Sequence, residues 1–285
     1  MSRNWTKTVG EVCFWIGLVL ELIIVIIDKS AYTNPLESQL FRLTFLLFCV
    51  KIALTRFSAR EWLCILLFGA VMFVSYRMNE RDETVRVVAF IAACKGMDIK
   101  KVMKVVFWIT FAGCAALMFL SVTGIYGAVS VVADFGRGGS GEQVFETRYV
   151  LGMGHPNALH CMLWMVVVLA VYSYAEALKW YHFAFFAAVD FALFFLTKSK
   201  TGALVWFLFV ALACIMRYNK KYRENKNVYV VCALIVFGCV VFSMIGSHVG
   251  NMDLAPDSLM FKLDKVLNGR YESCYAIEEA RLENW

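Results

Sequence analysis

A chain of 285 residues with 61% apolar and only 18% charged residues, at a mean hydropathy of +0.66, is too apolar for a water-soluble domain. Its net charge of +6 is spread over the connections between apolar runs, which fits orientation in a bilayer and not a nucleic-acid partner. Nine of the ten cysteines fall inside apolar runs and none forms a CxxC spacing, so they read as small hydrophobes, with neither a disulfide framework nor a metal site expected.

In chain order, residues 1–8 are polar and basic, and Val9–Ile27 is the first apolar run. No small-residue cleavage site follows it, so it reads as a span and not as a signal peptide. Asp28–Glu37 is a short polar turn containing Pro35. Leu40–Leu54 is a second span, interrupted by Arg42 and Lys51, and Trp62–Tyr76 is the third. Val87–Cys94 is apolar but brief, and even extended to Thr84–Cys94 it falls short of the ~20 residues that cross a bilayer, which makes the fourth element the weakest. Lys95–Lys104 carries four lysines before a fifth span, Val105–Gly124. A more hydrophilic segment follows, residues 125–155, with a glycine-rich centre at Gly136–Gly141. The remaining spans are Pro156–Tyr174, Tyr181–Leu196, Gly202–Met216 and Val228–Ile245, and the polar segment 246–285 closes the chain. The expected fold is all-α: one transmembrane domain over residues 1–285, a bundle of about nine membrane helices.

Lysines and arginines divide unevenly between alternate connections. Leaving out the segment 246–285, the set with Arg3, Lys7, the Lys51–Arg60 turn, Lys95–Lys104, Lys179 and Arg217–Lys226 holds about twice as many as the other. The positive-inside bias therefore places the N-terminus in the cytoplasm, and residues 125–155 and 246–285 outside. The clusters Lys95–Lys104 and Arg217–Lys226 are separated by four spans, so they share a side whether or not the fourth element crosses.

This topology gathers Arg148, His155, Asn157, His160, Lys198, Lys200 and Arg270 on the outer face, against the positive-inside bias. Pro156 suits the first helical position, and the residue before a proline avoids helical backbone, so His155 should be the last residue before the sixth helix. That helix start directs free N–H groups and a partial positive charge outward, suited to an anion. A lipid-linked phosphate, fixed at this depth, is the simplest match. Each residue also has a plainer reading. Arg148, Lys198 and Lys200 could snorkel to headgroups, Asn157 could cap, and His160 could be a packed polar residue. Asp190, inside the seventh span, could serve function or pair with a lysine or tyrosine. Gly136–Gly141 lacks the Gly-Lys-Ser/Thr ending of a phosphate loop.

The order of Arg148, then Gly152-Met-Gly-His-Pro-Asn157, then Thr197-Lys-Ser-Lys-Thr-Gly202, then Asn268-Gly-Arg270 resembles the bacterial O-antigen polymerase and ligase superfamily. The resemblance covers roughly residues 85–270. It implies a multi-pass protein of the bacterial cytoplasmic membrane, a glycosyltransferase joining polyprenyl-pyrophosphate-linked repeat units on the outer face. The partners it implies are that lipid-linked glycan, the bilayer and other polysaccharide assembly proteins; it implies no cofactor and no metal. Arg148 and Lys200 would hold the pyrophosphate, supported by Arg270, with Asn157, His160 and Lys198 also in the substrate site. An outer histidine, His155 or His248, would activate the acceptor hydroxyl; Glu142, Glu146 and Asp134 are carboxylate alternatives. Two departures stand out: Lys200 occupies a position where ligases often carry arginine, and family members continue through further spans, so a shortened chain is expected. The alternatives are a transporter or binding protein for an anionic lipid-linked solute, or a structural membrane subunit.

Overall fold

A computed structural model describes residues 3–79, 83–134 and 145–249. Each of the nine apolar segments forms a helix: α1 (Arg3–Asp28), α2 (Glu37–Ala53), α3 (Ala59–Asn79), α4 (Glu83–Ala93), α5 (Ile99–Val122), α6 (Pro156–Tyr174), α7 (Trp180–Thr197), α8 (Lys200–Tyr218) and α10 (Lys226–Val249). A five-residue helix, α9 (Lys220–Glu224), and two strands, β1 (Ser130–Asp134) and β2 (Phe145–Tyr149), complete the described elements. The strands pair in a two-stranded sheet.

Among the described residues, six helices are long and apolar enough to cross a membrane: α1, α3, α5, α6, α7 and α8. Helix α2 has 17 residues and contains Arg42 and Lys51, and α4 has 11. The apolar stretch of α10 is described over Lys226–Cys239. Length and charge therefore set apart α2 and α4 among the nine segments that were expected to span. The helices expose Leu63, Leu66, Leu67, Phe68, Phe191, Phe195 and Phe207 among many other large apolar side chains, as lipid-facing surfaces do.

The helix limits follow local chemistry. Helix α5 begins inside the lysine cluster because the Asp98 carboxylate accepts from the Lys101 N–H at its N-cap. The loop to α6 is fixed by hydrogen bonds from the Val150, Leu151 and Gly152 N–H groups to the carbonyls of Val129 and Ala128.

The chain divides into two compact units, Met1–Val131 with Arg148–Ala211, and Val132–Thr147 with Leu212–Trp285, taken at their described residues. In the first, α1 and α2 form a hairpin against α4, with Phe14, Leu18, Phe48, Ala89, Ala93 and Val102 at its core. Helix α5 joins α1 to α6, close enough that a side-chain carbon on Gly113 would lie 2.6 Å from Ile26. In the second unit, the basic stretch after α8 turns through α9, whose N-cap Asn219 accepts from the Lys221 and Tyr222 N–H groups.

Candidate functional site

One end of the first unit collects the turn after α1, the segment after α5, the chain entering α6 and the α7–α8 turn. Met153 bridges to Ser30, and the Gly154 N–H donates to the Lys29 carbonyl at 3.0 Å. The Ser121 hydroxyl donates to the Ala128 carbonyl at 2.9 Å, closing the loop that leaves α5. Gly127 and Gly152 meet backbone to backbone: a side-chain carbon on Gly127 would lie 2.8 Å from Gly152 Cα, and one on Gly152 2.7 Å from the Leu117 carbonyl. Both glycines have positive φ, 81° and 83°, so here the chain needs glycine for space and for conformation.

Helix α6 starts as the Pro156 rule anticipates. His155 is the N-cap in extended backbone (φ −151°, ψ 145°), and its Nδ1 accepts from the Asn157 N–H at 3.1 Å. Accepting at Nδ1 leaves the neutral ring's proton on Nε2. Partial burial pushes the His155 pKa down from its ordinary value, and the nearby Arg148 guanidinium pushes it the same way. Arg148, on β2, is 4% exposed. That value disposes of snorkelling for Arg148: the guanidinium sits inside the protein. Asn157 is exposed in the first turn of α6.

His160, one turn further, is 1% exposed. Its Nε2 lies 3.0 Å from Asp190 Oδ1 of α7, and its Nδ1 3.2 Å from Thr197 Oγ1 at the end of α7. The Thr197 hydroxyl donates to the Leu193 carbonyl at 2.8 Å and accepts from the Ser199 N–H at 3.3 Å. Trp206 of α8 meets the His160 ring edge-on at 5.5 Å. A side-chain carbon on Gly202 would lie 2.9 Å from His160 Cδ2, so the first turn of α8 rests directly on the imidazole. His160 is therefore a packed residue joining three helices, and Asp190 pairs with it and not with a lysine or tyrosine.

Burial alternates along the α7–α8 turn: Thr197 and Ser199 are buried, while Lys198 and Lys200 are exposed. Lys198 takes the left-handed conformation (φ 51°, ψ 25°) as the C-cap of α7, its N–H bonded to the Phe194 carbonyl at 2.8 Å. Leu151, on the way into α6, also has a positive φ of 46°. Non-glycine residues rarely hold this conformation, and such strain tends to collect at functional sites.

Arg148, His155, Asn157, His160, Lys198 and Lys200 thus all lie at or near this end of the first unit. His248 falls in α10 by its backbone, but its side chain lies outside the described residues, as does that of Asp134 at the end of β1. Arg270 and Glu142 lie outside the described residues altogether. Glu146 sits half-buried on β2. Among the described residues no group of three or more histidine, cysteine, aspartate or glutamate side chains is placed to hold a metal ion. The sequence reading missed the roles of Thr197 and Ser199, although both lie in the stretch it singled out; the signal was the polar–lysine alternation itself.

The chain matches no protein-family model, no curated protein and no solved structure.

Proposed function

We propose that the chain is a multi-pass glycosyltransferase of the bacterial cytoplasmic membrane, N-terminus inside, which polymerises or ligates polyprenyl-pyrophosphate-linked repeat units on the outer face. The observation that carries this reading is the docking of the α6 start on the α7–α8 turn through His160, Thr197 and Gly202. It brings a helix N-terminus, with buried Arg148 and the Nε2–H of His155 nearby, to the same end as exposed Lys198 and Lys200. Such a set suits a diphosphate: a guanidinium gives directed donors, lysines give mobile point charges, and the helix end adds its dipole.

In the proposed reaction an acceptor hydroxyl attacks the anomeric carbon of the lipid-linked sugar. The bond from that carbon to the diphosphate oxygen breaks, and the hydroxyl proton passes to a base. Negative charge grows on the departing diphosphate, where fixed cations lower the barrier. His155 contributes a hydrogen bond to that charge, and Lys198 and Lys200 contribute cations.

Deleting the gene should abolish long glycan chains and cause polyprenyl-linked single repeat units to accumulate on the outer leaflet. Arg148→Ala should reproduce that loss while the protein still inserts in the membrane. Unchanged polymer length in Arg148→Ala would sink the assignment. Substrate stranded on the inner leaflet would instead make the protein a transporter of the lipid-linked solute.

A further inference from the structure

We infer that Asp190 and His160 are positioning residues that hold the lysine-bearing α7–α8 turn through Thr197, an inference that rests on reading this turn as part of an anion site.

The hydrogen bonds run in one line. The Leu193 carbonyl can only accept and the Ser199 N–H can only donate, so the Thr197 hydroxyl is satisfied when it donates to the first and accepts from the second. Its remaining lone pair then takes the Nδ1–H of His160, across 3.2 Å. With that proton fixed on Nδ1, one further proton lies between His160 Nε2 and Asp190 Oδ1, 3.0 Å apart. The pair carries no net charge whichever atom holds the proton, which suits two side chains exposed by only 1% and 5%.

The consequence reaches the backbone. Thr197 Oγ1 accepts the N–H of Ser199, whose carbonyl accepts the Ala203 N–H at 3.0 Å in the first turn of α8. Lys198 and Lys200 therefore leave the protein from a segment tied at Thr197 and Ser199. Gly202 removes the side chain that would push the imidazole away. Asp190 orients the ring, the ring orients Thr197, and Thr197 sets where the two ammonium groups begin. Neither Asp190 nor His160 needs to touch the ligand.

The test uses the full chain in lipid nanodiscs, with hydrogen–deuterium exchange over residues 197–203 and farnesyl diphosphate as the binding probe. Thr197→Val keeps the side-chain shape and removes the oxygen, while Thr197→Ser keeps the oxygen. The amides of Ser199 and Ala203 should exchange about tenfold faster in Thr197→Val, His160→Phe and Asp190→Leu, the size expected for one lost hydrogen bond. Exchange should return toward the wild-type rate in Thr197→Ser and Asp190→Asn. The Kd for farnesyl diphosphate should rise about tenfold in the same three variants and recover with the same two. Unchanged exchange in Thr197→Val overturns the inference, as does an equal acceleration in Thr197→Ser, which would assign the effect to packing. Should the larger substitutions prevent folding, the Thr197 pair decides alone. If the exchange pattern appears but the wild-type protein does not bind farnesyl diphosphate, the positioning role stands and the anion-site reading falls.

Discussion

Glu21 and Arg86, 65 positions apart in the chain, meet at 3.1 Å between α1 and α4. The same carboxylate accepts from the Thr44 hydroxyl of α2, and the Arg86 guanidinium carbon lies 3.7 Å above the Phe41 ring. Three helices are joined by one acid, and the short α4 gains a fixed place against longer neighbours.

The first prediction follows from that pair. The two side chains are only 14% and 22% exposed, so Glu21→Ala removes a charged partner from a part-buried cation and should destabilise the protein by about 1–3 kcal/mol. Glu21→Gln keeps an oxygen toward Thr44 and should cost less. Unfolding measured in detergent or by steric trapping compares the two. A loss below about 1 kcal/mol in Glu21→Ala, the range of a surface pair, would show the interaction to be solvent-screened.

His155 predicts a pH dependence of defined sign. Its pKa is lowered in the folded protein by partial burial and by Arg148, so the folded state binds the proton less readily than the unfolded chain. Its contribution is complete above the ordinary histidine value of about 6.5. It declines as pH falls from there through the lowered value. Protonation at Nδ1 also removes the acceptor for the Asn157 N–H. His155→Asn retains a capping side chain without the titration. Thermal unfolding at pH 7.5 and 5.5 should show a loss in the wild-type protein that is smaller in His155→Asn. An identical loss in both would place the titrating group elsewhere.

Gly152 opens the Gly-Met-Gly-His-Pro-Asn stretch, and its role is steric. Gly152→Ala combines a strained φ of 83° with a side-chain carbon 2.7 Å from the Leu117 carbonyl. It should destabilise by about 1–3 kcal/mol and displace the chain between Arg148 and His155. A matched Gly69→Ala variant, where nothing lies within 4 Å, should be neutral or slightly stabilising. Equal stability of the two variants would contradict the packing described here.

Lys198 should show a trade between stability and binding. Left-handed backbone costs a non-glycine residue about 1–2 kcal/mol, so Lys198→Gly should raise thermal stability while weakening diphosphate binding. If both properties fall together, the lysine side chain is holding the turn and not serving a ligand.

Much of the helical layout was legible in the sequence because apolar length and proline placement are local signals. The start of α6 at Pro156 and the brevity of α4 were read from a few residues each. The strands were missed. On β2 the aromatic residues Phe145 and Tyr149 face out, while Glu146 is half-buried and Arg148 buried, inverting the alternation that marks a strand in a soluble protein. Asp190 was recognised as costly inside a span, but its partner His160 is 30 positions away. Which residue faces it depends on how α6 and α7 pack, and no spacing rule carries that information. Nine apolar segments suggested nine crossings, yet α2 and α4 are short and α2 carries two cations, so segment count and crossing count are separate quantities.

The alternating burial from Thr197 to Lys200 divides labour within four residues. Thr197 and Ser199 are buried and tie the turn inward through one hydroxyl and one backbone unit, while two lysines reach outward, so the outward pair can be exchanged with little disturbance to the fastening. A protein built this way could change the charge it shows to its ligand by one or two codon changes while the scaffold beneath stays intact. Position 198 would remain the more demanding of the two, because its backbone favours glycine or asparagine.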